Sequence, residues 1–436
     1  MTRASHPTQH AQRVLLHNEV HARPPEALVA PLAITHIVML TDAMGRDASR
    51  AHLATFLRDH HQAPPDADTT HLRVDLGAFR IRWELHTEFV SWTFTVIPAG
   101  DALSKDGRAP MTALEAVPRD WLAALPGECL CALHLWVAGS RGADGDADPA
   151  ACNWLREESL VASVVANDQG EVYTDFAIHA DGFSRMLLVA EALSPQRLGR
   201  IVQQLLEIET YRMAALLGLP AARDASATLV SAELELAELA QAIRVSNRDA
   251  EPVLLDRLTR LAGQVEGQYA ATHSRFSASS AYFELVDRRI QDIGESRLGG
   301  LQTIGEFMER RLSPARSTCA WAARRQNALS ERVSRMSNLL RTRVEIEQQQ
   351  NNQALLAAMN RRGDLQLRLQ STVEGLSVAA ITYYIVGLVS YLAKGAQKLG
   401  WGFSPESTAA VAIPLVAASV WWSLRRLHHR MFNEVR

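Results

Sequence analysis

No Gly-rich phosphate loop, no nucleophile elbow and no zinc-finger spacing occurs in this chain, so the familiar nucleotide-binding, hydrolase and zinc-module readings lose their usual support. The four cysteines, Cys129, Cys131, Cys152 and Cys319, form no CxxC pair and suit a reducing compartment. Charge of neither sign dominates: charged residues make up 21% of the chain and the formal net charge is −3. That balance gives no sign of nucleic-acid binding. Met1 to Leu16 contains no apolar core of the signal-peptide type, and nothing is expected to export the first 370 residues.

What the chain does have lies at its end. Two apolar stretches, 376–393 and 408–424, are separated by fourteen residues and followed by a basic tail. At 1.5 Å of rise per residue they reach about 27 and 26 Å, close to the hydrocarbon thickness of a bilayer. Arg361, Arg362 and Arg368 precede the first, Arg425, Arg426, Arg430 and Arg436 follow the second, and only Lys394 and Lys398 lie between. Seven positive residues against two place both termini in the cytoplasm. The expectation is a transmembrane hairpin over 375–436 whose first partner is the lipid bilayer.

Residues 1–220 read as an α+β domain. Alternating or β-branched runs predict eight strands, at 32–41, 71–76, 78–86, 88–97, 129–137, 159–167, 171–179 and 183–190. Adjacent pairing makes the sheet largely antiparallel, with turns at Asp168-Gln169-Gly170 and Ala180-Asp181-Gly182. Helices are expected at 9–21, 46–60 and 195–217, the last opened by Ser194-Pro195 and stopped by Gly218 and Pro220. From 221 to 374 the pattern is that of a helical stalk, with helices at 225–247 and 251–293 and a break at 294–300. Ser313-Pro314 repeats the start signal, and one helix is expected from Ala315 to Ala393. Leu329, Val333, Met336, Leu340 and Val344 recur at coiled-coil spacing, which predicts partner helices and a homo-oligomer.

Asn18-Glu19-Val20-His21-Ala22-Arg23-Pro24, Trp83-Glu84-Leu85-His86-Thr87-Glu88-Phe89, the helix Gly199 to Pro220 and Glu374-Gly375-Leu376-Ser377 resemble the bacterial membrane-anchored family of domain of unknown function 3422. The resemblance covers nearly the whole chain and implies a bacterial inner-membrane protein, without naming a reaction. The plan of cytosolic domain, long helix and two spans is also similar to CorA-type cation channels. Their Gly-Met-Asn filter is missing, and the loop carries Gly400-Trp401-Gly402-Phe403.

Candidate chemistry concentrates near the start, where ten of fifteen histidines fall within the first 86 residues. His17 and His21 stand four apart on an expected helix, a spacing that can serve one metal ion, although Glu19 does not complete HExxH. Period-two alternation sets Arg80, Arg82, Glu84, His86 and Glu88 on one strand face. Two carboxylates around an imidazole suit a divalent ion or acid/base chemistry, and a solvated strand with salt bridges gives the same pattern. Glu19, His21, Glu84, His86 and Glu88 are therefore the candidate metal set. In the first span Thr382, Tyr383 and Tyr384 sit near the midplane, as pore lining or as helix packing. Three readings follow: a structural or sensory membrane scaffold, a CorA-like conducting oligomer, and an enzyme with a site near His86.

Overall fold

The computed structural model describes residues 10–14, 16–17, 24–98, 110–139, 154–190, 192–245, 250–398, 400, 402 and 404–433. It comprises two compact units, 1–337 and 338–436, taken separately below. The stretch expected to be a stalk from 221 to 374 is thus divided, its first part belonging with the α+β unit.

All eight expected strands form: β1 (Leu32–Leu40), β2 (His71–Asp75), β3 (Arg80–Leu85), β4 (Phe89–Val96), β5 (Glu128–Ala138), β6 (Val161–Val165), β7 (Gly170–Thr174) and β8 (Ser184–Val189). A ninth, β9 (Ser296–Arg297), arises inside the expected break by pairing with β6. The sheet is mixed, in the order β2-β3-β4-β1-β5-β8-β7-β6-β9, and every strand pair is antiparallel except β5 with β8. Helices α1 (Ala43–Asp59) and α2 (Arg119–Ala123) lie within the strand region, and α3 (Pro195–Leu216), α4 (Gly218–Val245) and α5 (Glu251–Asp292) follow it.

Both faces of the sheet are covered. On one, Leu53, Phe56 and Leu57 of α1 pack on Ile81, Trp83, Trp92 and Phe94. On the other, Leu198, Ile201, Val202 and Leu205 of α3, with Phe283 and Val286 of α5, cover Ile34, Leu133, Leu135, Met186 and Leu188. Period two along the strands and period 3.6 along α3 are what let one sequence supply both halves of this layer.

Two helix boundaries differ from expectation. Gly218 and Pro220 end α3 but also open α4, because proline is tolerated in a first helical turn. The long helix α6 begins at Ile304 instead of Ala315 and runs to Lys398, with Pro314 inside it. Its start is a capping box: Thr303 Oγ1 accepts from Glu306 N at 3.1 Å, and Glu306 Oε2 from Thr303 N at 3.2 Å. Ser163 Oγ accepts from Ile304 N at 2.9 Å and Glu295 Oε1 from Gly305 N at 2.9 Å. Four otherwise unpaired groups are thereby satisfied at the edge of the sheet, and these outweigh the one donor that Pro314 removes.

The expected coiled-coil seam is partly consumed within the first unit. Leu329 and Val333 are 1% and 2% exposed there, and Arg325 in the same stretch of α6 grips Glu233 of α4. In the second unit α6 continues and α7 (Pro405–Asn433) follows. Among the described residues one helix, α6, is long and apolar enough to cross a membrane, through an 18-residue window of mean hydropathy 1.8 with none of its residues buried.

Gly199 marks where the chain before β1 meets α3: a Cβ there would stand 1.6 Å from the carbonyl oxygen of Glu26. Gly199→Ala is expected to lower the melting temperature sharply, whereas Gly263→Ala, in a helix interior with open space around it, should raise stability by up to about 1 kcal/mol. Tryptophan fluorescence of the full chain, followed on heating for Gly199→Ala and in urea for Gly263→Ala, checks both.

Candidate functional site

The α3-facing side of the sheet is apolar along β5, β8 and β7 apart from Ser184, and abruptly polar at β3, β4 and the middle of β1. Strand register builds this patch: Arg82 pairs with Thr93 and Thr93 with His36, making one row across three strands, and Glu84 pairs with Ser91 in the next row. The opposite faces of the same strands carry Ile81, Trp83, Trp92 and Phe94, so the polar row is a property of one face only. Above it α3 presents Gln203, Glu207, Thr210 and Tyr211, whose spacing places them on one helical side, and α5 contributes Arg289. Between floor and roof lies a cavity of about 240 Å³.

His36 forms its base. The side chain is buried, with Nδ1 2.8 Å from Thr93 Oγ1 and Nε2 3.0 Å from Thr210 Oγ1. Thr210 already donates its hydroxyl proton to the Leu206 carbonyl at 2.9 Å, so it accepts from His36 Nε2–H, and Nδ1 accepts from Thr93. One neutral tautomer is thus fixed by its neighbours. Burial lowers the His36 pKa to about 3, with Glu84 opposing the shift and Arg82 and His86 adding to it.

The walls are ion pairs. Arg82 donates to Glu84 Oε1 at 2.7 Å, and Arg289 binds Glu207 closely while its other arm reaches Asp292 Oδ2 at 2.9 Å. Gln203 Nε2 donates to Glu207 Oε1 at 2.8 Å. The Tyr211 phenol is held well above its usual pKa by burial and then by Glu207, with Arg289 opposing and Glu84 adding to the rise, so its hydroxyl stays a donor. Beside the cavity, Arg212 clamps buried Glu209 through two bonds of 2.5 and 2.6 Å, and Ser184 donates to the same carboxylate at 2.9 Å. Through Ser184 of β8 the pair ties α3 to the sheet.

Of the candidate metal set, Glu84 lies in the cavity wall and His86 at its rim, stacked on Phe89 at 4.4 Å. Glu88 is not on the strand. It sits in the β3–β4 turn and leaves in another direction, taking two bonds from Arg275 at 2.7 and 3.1 Å and one from Tyr282 at 3.2 Å. Period two ends at Leu85, which is why Glu84, His86 and Glu88 do not converge as a ligand trio. Among the described residues no three His, Cys, Asp or Glu side chains are grouped to hold a metal ion. Glu19 and His21 lie outside the described residues. At Arg82 and Glu84 the polar face is roofed rather than solvated, and the ion pair between them is of the salt-bridged kind expected of the strand.

Thr382, Tyr383 and Tyr384 fall in the second unit. The tyrosines are 77% and 71% exposed, and Thr382 Oγ1 is shielded with no hydrogen-bond partner among the described residues. Consecutive helical residues point about 100° apart, so the three do not form one line along α6.

His36, Thr93, Thr210 and Arg289 were missing from the sequence candidates. Their signal was a polar residue at a core-facing position, His36 within LAITHIVML and Thr93 within FVSWTFTV.

Residues 8–431 match the family described as protein of unknown function (DUF3422). The chain belongs to this family. No curated protein and no solved structure matches it. The likeness of plan to CorA-type channels therefore rests on the sequence pattern alone.

Because folded His36 resists protonation down to about pH 3 while the unfolded chain takes up a proton near 6.5, stability should fall as pH drops through that window. The loss is on the order of several kcal/mol. A His36→Asn variant is expected to show a shallower acid limb in urea midpoints measured from pH 7 to 4.

Proposed function

We propose that this DUF3422 protein is a self-associating sensory scaffold of the cytoplasmic membrane, with both termini and the α+β unit on the cytoplasmic side. One observation carries the reading: the apolar window of α6 has none of its residues buried. Large apolar side chains such as Leu376, Leu388 and Leu392 are 65 to 74% exposed, and each gains about 1.5–3 kcal/mol on leaving water. A bilayer takes up such a window without demanding any backbone partner, since a helix satisfies its own. The flanking arginines support the orientation, and the apolar stretch 408–424 is the return span of the proposed hairpin.

Self-association is supported by Leu365, Leu369 and Val373, at fourfold spacing on α6 just before the window and each about 60% exposed or more. Copies held by the same membrane bring identical stripes to the same height, which favours parallel helix pairing. Sensing is supported by the roofed polar cavity, a feature that packing alone does not require.

A phosphatase reporter inserted at Gly400 is expected to be active and one fused after the last residue inactive. An active terminal fusion would overturn the hairpin. Serine at Leu365, Leu369 and Val373 should reduce the detergent-solubilised particle to a smaller mass, and an unchanged mass would place the contact elsewhere. Ion flux through liposomes that responds to Tyr383→Phe would replace the scaffold with a conducting oligomer.

A further inference from the structure

We propose that the C-terminal part of α7 binds the phosphodiester headgroup of an anionic phospholipid through two arginines, each stacked on a tryptophan. The inference rests on the membrane reading above and names the lipid that this end of the chain meets.

The sequence sets the charge. Between Glu406 and Glu434 there is no acidic residue, and every Lys or Arg position after the apolar stretch 408–424 is an arginine: Arg425, Arg426, Arg430 and Arg436. Ahead of that stretch, between it and the first one, stand Lys394 and Lys398 instead. The two residue types are not interchangeable. A guanidinium offers a planar fork of N–H donors that matches two oxygens of a phosphate, whereas an ammonium is a compact point charge.

Helical spacing sets the geometry. Trp421 and Arg425 stand four apart on α7, as do Trp422 and Arg426, and residues four apart are neighbours on a helix surface. The guanidinium carbon of Arg425 lies 4.9 Å from the Trp421 ring centre, and that of Arg426 lies 5.1 Å from the Trp422 ring centre. Both distances are within cation–π range, and stacking occupies a face of the guanidinium while the N–H groups at its edge stay open to an acceptor. Both arginines are exposed, and no acidic residue lies within a helical turn of either along the chain. The indoles are 54% and 60% exposed. Tryptophan favours the headgroup level of a bilayer, so each ring holds its arginine at the depth of the phosphates.

Charge then selects the lipid. A phosphocholine headgroup brings a quaternary ammonium to a place where cations already stand and where guanidiniums already stack on the indoles that such an ammonium would seek. A phosphoglycerol headgroup brings the phosphate without that cation.

Native mass spectrometry of the full chain in detergent, with phosphatidylglycerol and phosphatidylcholine of identical acyl chains added in equal amounts, tests this. Phosphatidylglycerol is expected to be retained about tenfold more strongly, and Arg425→Gln combined with Arg426→Gln should bring the two lipids level. Arg425→Lys with Arg426→Lys keeps the charge, and Trp421→Leu with Trp422→Leu keeps both charge and apolar bulk. Each of these pairs should still weaken the preference by roughly threefold. All four side chains are exposed, and circular dichroism melting confirms that the variants fold. Equal retention of both lipids by the unchanged chain overturns the proposal. So does a preference that survives the glutamine pair, or one that the lysine and leucine pairs leave at full strength, since surface charge alone then accounts for it. Displacement of the lipid by inorganic phosphate would assign the arginines to the free anion and overturn it as well. The reporter fusions locate the chain ends whatever the headgroup, so a failed hairpin and a failed lipid preference are separate results.

Discussion

Where helices seal a sheet face they exclude water from it, and a polar side chain beneath them must be matched by a protein partner or lose several kcal/mol. That constraint organises the first unit. Where the strands are fully apolar, as along Leu133, Leu135, Met186 and Leu188, α3 and α5 seal them with leucine, isoleucine and phenylalanine. Where the register brings Arg82, Glu84, Ser91, Thr93 and His36 to the same face, the same two helices answer with Glu207, Thr210, Tyr211 and Arg289. Floor and roof change character together. The cavity lies where the wall side chains are held in ion pairs, Arg82 with Glu84 and Arg289 with Glu207.

The strands were legible because alternation and turn residues are local signals, and all eight predicted strands exist. Long-range pairing was not. β9 is two residues whose strand character comes entirely from lying beside Ser163 and Val164. The start of α6 lies at Ile304 and not after Ser313-Pro314, because Thr303 and Glu306 form the capping box and Ser163 and Glu295 reinforce it. Two of these four groups lie far away in sequence or outside any motif. The site followed the same rule: Glu84 and His86 could be nominated from one strand, but only the three-strand row and the docking of α3 show what they face.

Glu88 illustrates the limit of periodicity. Alternation counted across a strand end assigns a side chain to a face that no longer exists, and here a turn hands the carboxylate to Arg275 and Tyr282 instead. Burial pushes the Tyr282 pKa up to about 12, and Glu88 adds to that shift. What looked like a third ligand is a tether between the β3–β4 turn and α5.

The two ends of the nine-stranded sheet bear on how copies of this chain can meet. An open edge is a template for adding strands from another molecule, and proteins blunt it with charge or brevity. At one end β9 is two residues long and carries Arg297, paired with Glu306. At the other, β2 sets His71, Arg73 and Asp75 in five residues, and the Arg73 guanidinium reaches the carbonyl of Pro24. Neither rim invites a further strand. A high local concentration of copies, as the proposed anchoring would bring about, therefore does not favour fibrillar stacking through the sheets.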